Sequence, residues 1–237
     1  MARIDDVLVS GTFGDVVFYR RMGKACARMK RSRIKQTVAT KKRGINFGIA
    51  ARAGKALRVG LRRAMPNPTD RSMQSRFSGA IARWLGTKEV DGLIPSDPVP
   101  FVSSYSFTTQ DSFTDRFKAP FGINISEGRV EVTLAAFVPL KKISAPAGTI
   151  AVELVIAVAG CRLATGVFAG GSSQTVHIAY NDVEIPAQTL RFDVHGDKGN
   201  IIVTAARLIY TGTKNGHPYI IDKKGFIPAG VINAVYC

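Results

Sequence analysis

The chain has 237 residues, 46% of them hydrophobic and 21% charged, which is enough to bury a core and excludes a wholly disordered chain. Lys and Arg outnumber Asp and Glu by 33 to 17, for a formal charge of +16, and the excess is confined to one end. Residues 1–90 hold 21 cations and 5 acids, whereas residues 91–237 hold 12 of each, so a basic part followed by a neutral part is predicted. The three cysteines, Cys26, Cys161 and Cys237, are far apart and odd in number, which excludes a disulfide framework and a Cys-rich zinc site.

The first 90 residues open on a predicted hairpin. Asp15 to Arg20 is β-branched and aromatic, Arg21-Met-Gly-Lys24 is a turn with Gly23 at positive φ, and Ala25 to Lys30 returns. Gly11 and Gly14 around Phe13 predict a tight bend before it. An isolated two-stranded hairpin is marginal, so it must rest on something else.

The next run, Lys30 to Arg43, holds seven cations, Lys30, Arg31, Arg33, Lys35, Lys41, Lys42 and Arg43, and no acid. It has neither helical nor strand periodicity and its charges repel one another, which points to a segment that meets a polyanion. The competing reading is a solvated linker.

From Ile45 to Ala64 a helix is expected, with Ile49, Ala53, Ala56, Leu57, Leu61 and Ala64 on one face. Arg52, Lys55, Arg58, Arg62 and Arg63 gather on the other, and without acids there they form no i,i+4 ion pairs. The helix stops before Pro66 and Pro68. A second helix capped by Thr69 or Asp70 follows, with Met73, Phe77, Ile81, Trp84 and Leu85 as a core stripe and Gly86 as its stop.

Residues 91–100, with Pro95, Pro98 and Pro100, read as a linker before a β domain over 101–237. The expected strands are Phe121–Ile125, Arg129–Phe137, Thr149–Gly160, Arg162–Phe168, Thr175–Tyr180, Thr189–Val194, Ile201–Tyr210 and Val231–Tyr236. No segment there has a convincing helical period. The fold class is therefore α+β: a basic hairpin and two-helix segment, then an antiparallel β-sandwich or its jelly-roll variant.

Chemistry-bearing motifs are few. Asp193, His195 and Asp197 place two carboxylates near one imidazole, an arrangement read as a polar hairpin end rather than a metal or acid–base site. There is no nucleophile elbow, HExxH sequence or Walker loop, and Cys161 reads as a buried small hydrophobe. No enzyme, cofactor or metal is expected.

Gly11-Thr-Phe-Gly14-Asp-Val-Val-Phe18-Tyr19-Arg20, then Gly23-Lys24 and Arg28, resembles the opening of an uncharacterised protein family widespread in Bacteroidota. Asn233-Ala-Val-Tyr236 is similar to the C-terminal sequence of its longer members. The resemblance implies a non-enzymatic bacterial or phage-borne protein and supplies no mechanism.

The leading expectation is a nucleic-acid-binding structural protein whose contacts are Lys30, Arg31, Arg33, Lys35, Lys41, Lys42, Arg43, Arg52, Lys55, Arg58 and Arg62, largely independent of nucleotide sequence. Tyr19, Phe47 and Trp84 are candidate base-stacking rings that read first as core. A homo-oligomer or larger assembly is expected through the β domain. The alternative is a coat or particle-forming protein with a basic arm on packaged nucleic acid; a surface adhesin comes third and an enzyme fourth. Asp5 and Asp6 interrupt any secretory signal, and the longest apolar run, Leu154 to Cys161, has 8 residues, too short for a bilayer. The expected location is the cytoplasm or an assembled particle, with no membrane partner.

Overall fold

The computed structural model describes residues 3–5, 8–30, 35–66, 72–87, 97–126, 129–194, 197–222 and 225–237. The chain divides into two compact units, Met1–Lys41 and Lys42–Cys237.

The first unit is a four-stranded antiparallel meander, β1 (Arg3–Asp5), β2 (Leu8–Phe13), β3 (Val16–Arg21) and β4 (Lys24–Met29). The expected hairpin is its β3–β4 half, and β2 supplies the support a lone hairpin lacks. Met22 and Gly23 both have positive φ, the backbone of a two-residue turn whose twist suits antiparallel strands.

The longest helix, α1 (Val38–Gly60), begins seven residues earlier than Ile45. The reason is a cap: the Thr37 Oγ1 accepts the Thr40 N–H at 3.2 Å, and the Lys41 N–H closes the first turn on the Thr37 carbonyl at 3.0 Å. Lys41, Lys42 and Arg43 are therefore helical, not part of an aperiodic linker. A short 3-10 turn, Arg62–Ala64, leads toward Pro66, and α2 (Met73–Thr87) follows. Its proposed caps Thr69 and Asp70 lie outside the described residues.

The second unit is layered. A six-stranded antiparallel sheet runs β5 (Asp97–Pro98), β13 (Ala229–Tyr236), β11 (Asn200–Lys214), β8 (Thr149–Arg162), β9 (Val167–Ala179), with β12 (His217–Ile220) paired to the end of β11. Its central strands are buried on both faces, and the pleat sorts their side chains between two cores. Ala157, Ala159 and Cys161 of β8 and Ile201, Val203 and Ala205 of β11 meet Leu57, Leu61, Phe77, Ile81 and Trp84 of the helical layer. Val152, Leu154, Ile156 and Val158, with Ile202, Ala206 and Leu208, meet a second sheet on the opposite face. That sheet is ordered β10 (Gln188–Asp193), β7 (Arg129–Leu134), β6 (Phe121–Ser126) and contributes Val130, Val132, Leu134 and Phe192. The protein is thus α+β with antiparallel sheets stacked as a sandwich and helices on the outer face of the larger sheet.

Three further expectations change. The division of the chain falls at Lys41/Lys42 and not at 91–100, because α1 and α2 share one core with β8, β11 and β13. Arg162–Phe168 is not a strand: residues 163–166 turn the chain between β8 and β9, with Gly166 at φ 72°. One long strand then runs to Ala179. Three one-turn helices, α3 (Pro100–Ser103), α4 (Phe113–Arg116) and α5 (Pro139–Lys142), are too short to leave a helical period in the sequence. No helix among the described residues is long and apolar enough to cross a membrane.

Candidate functional site

The basic residues are best built up from α1. The helix packs through small residues: a Cβ at Gly54 would come within 2.8 Å of the Ser78 Oγ, and one at Gly60 within 2.6 Å of the Ala159 Cβ. Ala50, Ala53, Gly54, Ala56 and Leu57 are its buried face. The first of them is Ala50, so residues 38–45 are exposed on every side, and Lys41, Lys42 and Arg43 stand in that stretch. Beyond it the exposed stripe consists of Arg52, Lys55 and Val59, continued by Arg62 and Arg63 in the 3-10 turn.

The expected contact residues are not equivalent. Arg43, Lys55 and Arg62 are exposed and form no ion pair among the described residues. Arg52 is exposed but leans on the turn after β8, donating from Nη2 to the Ala164 carbonyl at 3.4 Å. Arg58 does not belong to the stripe: it is half-buried, and desolvation lowers the pKa of its guanidinium. Lys30, Lys35 and Lys41 are exposed in the N-terminal unit; Arg31 and Arg33 lie outside the described residues.

The candidate stacking rings separate as well. Trp84 is buried in the helical core, whereas Phe47 is 58% exposed and Tyr19 38%. The Arg28 guanidinium carbon lies 5.8 Å from the centre of the Tyr19 ring. One signal in the sequence connects these places. Residues 16–69 contain 16 Lys and Arg and not one Asp or Glu, so the acid-free stretch takes in β3, β4 and all of α1.

Among the described residues of the neutral part, two cavities are lined by charged side chains. One, of about 330 Å³, is lined by Ser106, Thr108, Gln110, Asp111 and Arg116. Burial raises the Asp111 carboxyl above the usual carboxylate range, opposed by the Arg116 Nε that donates to its Oδ1 at 2.7 Å. Arg116 also donates to the Gly225 carbonyl at 3.0 Å and lies 4.2 Å from the Phe226 ring centre, which makes the pair a clamp between α4 and the 225–226 segment. The other cavity, of about 270 Å³, is lined by Arg207, Tyr210, Asp222 and Phe226. There the Tyr210 hydroxyl is committed to the Ser144 carbonyl at 3.0 Å, and burial pushes its pKa up. His195 lies outside the described residues, and among the described residues no group of three His, Cys, Asp or Glu could hold a metal ion.

No protein-family model matches this chain, and no curated protein matches it.

Proposed function

We propose that the protein binds nucleic acid through the cationic surface of α1 and acts as a structural component, with the layered β domain as its scaffold. The observation that carries this reading is the charge arrangement on α1. Lys41, Lys42, Arg43, Arg52 and Lys55 are exposed along α1, with Arg62 in the 3-10 turn beyond it, and residues 16–69 of the sequence contain no acid. The conflict is sharpest at the start of the helix. A helix N-terminus favours negative charge, yet the first turn of α1 holds Lys41 and no acid, at a cost of about 0.3–1 kcal/mol. Phosphates would relieve both the mutual repulsion and the unfavourable interaction with the helix dipole. Such contacts fix position on the backbone and carry no base information.

The experiment is a salt titration of binding to two unrelated duplexes. Lys41→Gln, Lys42→Gln and Arg43→Gln together should flatten the log–log salt slope by about 2 to 3 units, from a contribution near 0.9 per phosphate contact on duplex DNA. The change should be equal for both sequences. A slope that stays at the wild-type value means that these cations are only solvated.

A further inference from the structure

The N-terminal sheet has two unlike faces, and the strand register assigns each residue to one of them. Tyr19 pairs with Cys26, Arg21 with Lys24, and Val17 with Arg28 and Thr12, which puts Thr12, Tyr19, Arg21, Lys24 and Arg28 on one face. The opposite face carries Phe13, Val16, Phe18, Ala25, Ala27 and Met29, with Arg20 at its end. Cations are therefore concentrated on the Tyr19 face, and no acid is placed there by β3 or β4.

One feature of that face works against the stability of the sheet by itself. Arg21 and Lys24 are directly opposed across the strands, both exposed, and like charges so placed repel. Arg28 lies over the Tyr19 ring, a favourable cation–π contact that keeps a third cation beside them. An anion between the cations would remove the cost of the repulsion, and an aromatic ring beside them offers a surface on which a base can stack. Tyr19 and Arg21, two positions apart on one strand, are separated by about 6.6 Å along the sheet, so a ring and a charge are presented side by side.

We infer that this face of the β3–β4 hairpin is a second nucleic-acid contact, specific for single strands. Tyr19 stacks on an unpaired base, and Arg21, Lys24 and Arg28 neutralise the neighbouring phosphates. Single strands are singled out because bases in a duplex cover one another's faces, leaving the ring nothing to stack on. This inference rests on the nucleic-acid reading above, but on different residues from those on α1.

The test uses the full-length protein, an oligothymidylate and a mixed-sequence duplex. Tyr19→Ala should weaken oligothymidylate binding by roughly 5- to 100-fold, the range of base–aromatic stacking, and leave duplex binding unchanged. Tyr19→Phe, which keeps the ring, should bind like the wild type. Arg21→Gln, Lys24→Gln and Arg28→Gln together should flatten the single-strand salt slope by about 2 units, near 0.7 for each contact. If these variants keep wild-type single-strand binding while the Lys41, Lys42 and Arg43 variant loses affinity, the hairpin inference is wrong and the α1 reading stands. Equal losses on both ligands, or failure of Tyr19→Phe, overturn the stacking role. A wild-type protein that binds neither ligand overturns both.

Discussion

Gly60, the last residue of α1, stands over Ala159 of β8 so closely that a Cβ added to it would fall 2.6 Å from the Ala159 Cβ and 2.9 Å from the Phe168 ring. The helix thus meets the sheet with no side chain between them at this point, and any addition must push the layers apart. Gly60→Ala should destabilise the protein by about 1–3 kcal/mol through overpacking. Gly79→Ala in α2, whose Cβ would meet nothing within 4 Å, should instead stabilise by up to about 1 kcal/mol, the difference in helix propensity. Urea unfolding midpoints of the two variants should move in opposite directions.

The shared core makes a second prediction about truncation. A chain starting at Val38 should fold and melt cooperatively, since it keeps the whole second unit. A chain starting at residue 101 should not, because it leaves Ala157, Ala159, Val203 and Val231 without the Leu57, Phe77 and Trp84 side chains that cover them. Circular dichroism melts would separate the two cases. A cooperative transition in the shorter fragment would restore a boundary near residues 91–100.

The Asp111–Arg116 pair should leave a mark on the pH dependence of stability. Burial raises the Asp111 carboxyl above its ordinary value of 3.8 despite the nearby guanidinium. The folded protein therefore holds this proton more tightly than the unfolded chain does, and the contribution of Asp111 to stability declines as pH rises through the folded value. Compared with Asp111→Asn, the wild type should be relatively most stable in acid and lose that advantage toward neutrality. Arg116→Ala leaves a buried carboxylate without its partner and should cost about 3 kcal/mol at neutral pH. Denaturant titrations across that range measure both effects.

Thiol labelling checks the helical core directly. Cys161 is buried between β8 and α1, with its Sγ 3.8 Å from the Ala53 carbonyl, and burial pushes its thiol up to about 12. Cys26 and Cys237 are only half-buried. A thiol reagent should modify those two in the native protein and reach Cys161 only after unfolding. Rapid native labelling of Cys161 would mean that α1 does not stay seated on β8.

Much of this organisation can be read along the chain, since local patterns report which face of an element is buried. The apolar spacing of Met73, Phe77, Ile81, Trp84 and Leu85 matches their burial in one core, and the alternation in Arg129 to Leu134 matches the exposed and buried sides of β7. The hairpin turn at Met22-Gly23 is marked by its glycine. What no local pattern contains is which face meets which. The strands β8 and β11 read as apolar runs because both their faces are covered, and only the layered packing shows that one cover is helical and the other a sheet. That packing joins the basic helices to the neutral strands in one unit, while charge, which varies along the chain without regard to burial, suggested a division there. The same holds for the cations: Arg58 and Arg62 look alike in sequence, but one is half-buried and partly desolvated while the other stays in water. Likewise, the charge of the first 41 residues is plain from composition, but the strand register alone collects Arg21, Lys24 and Arg28 beside Tyr19 on a single face.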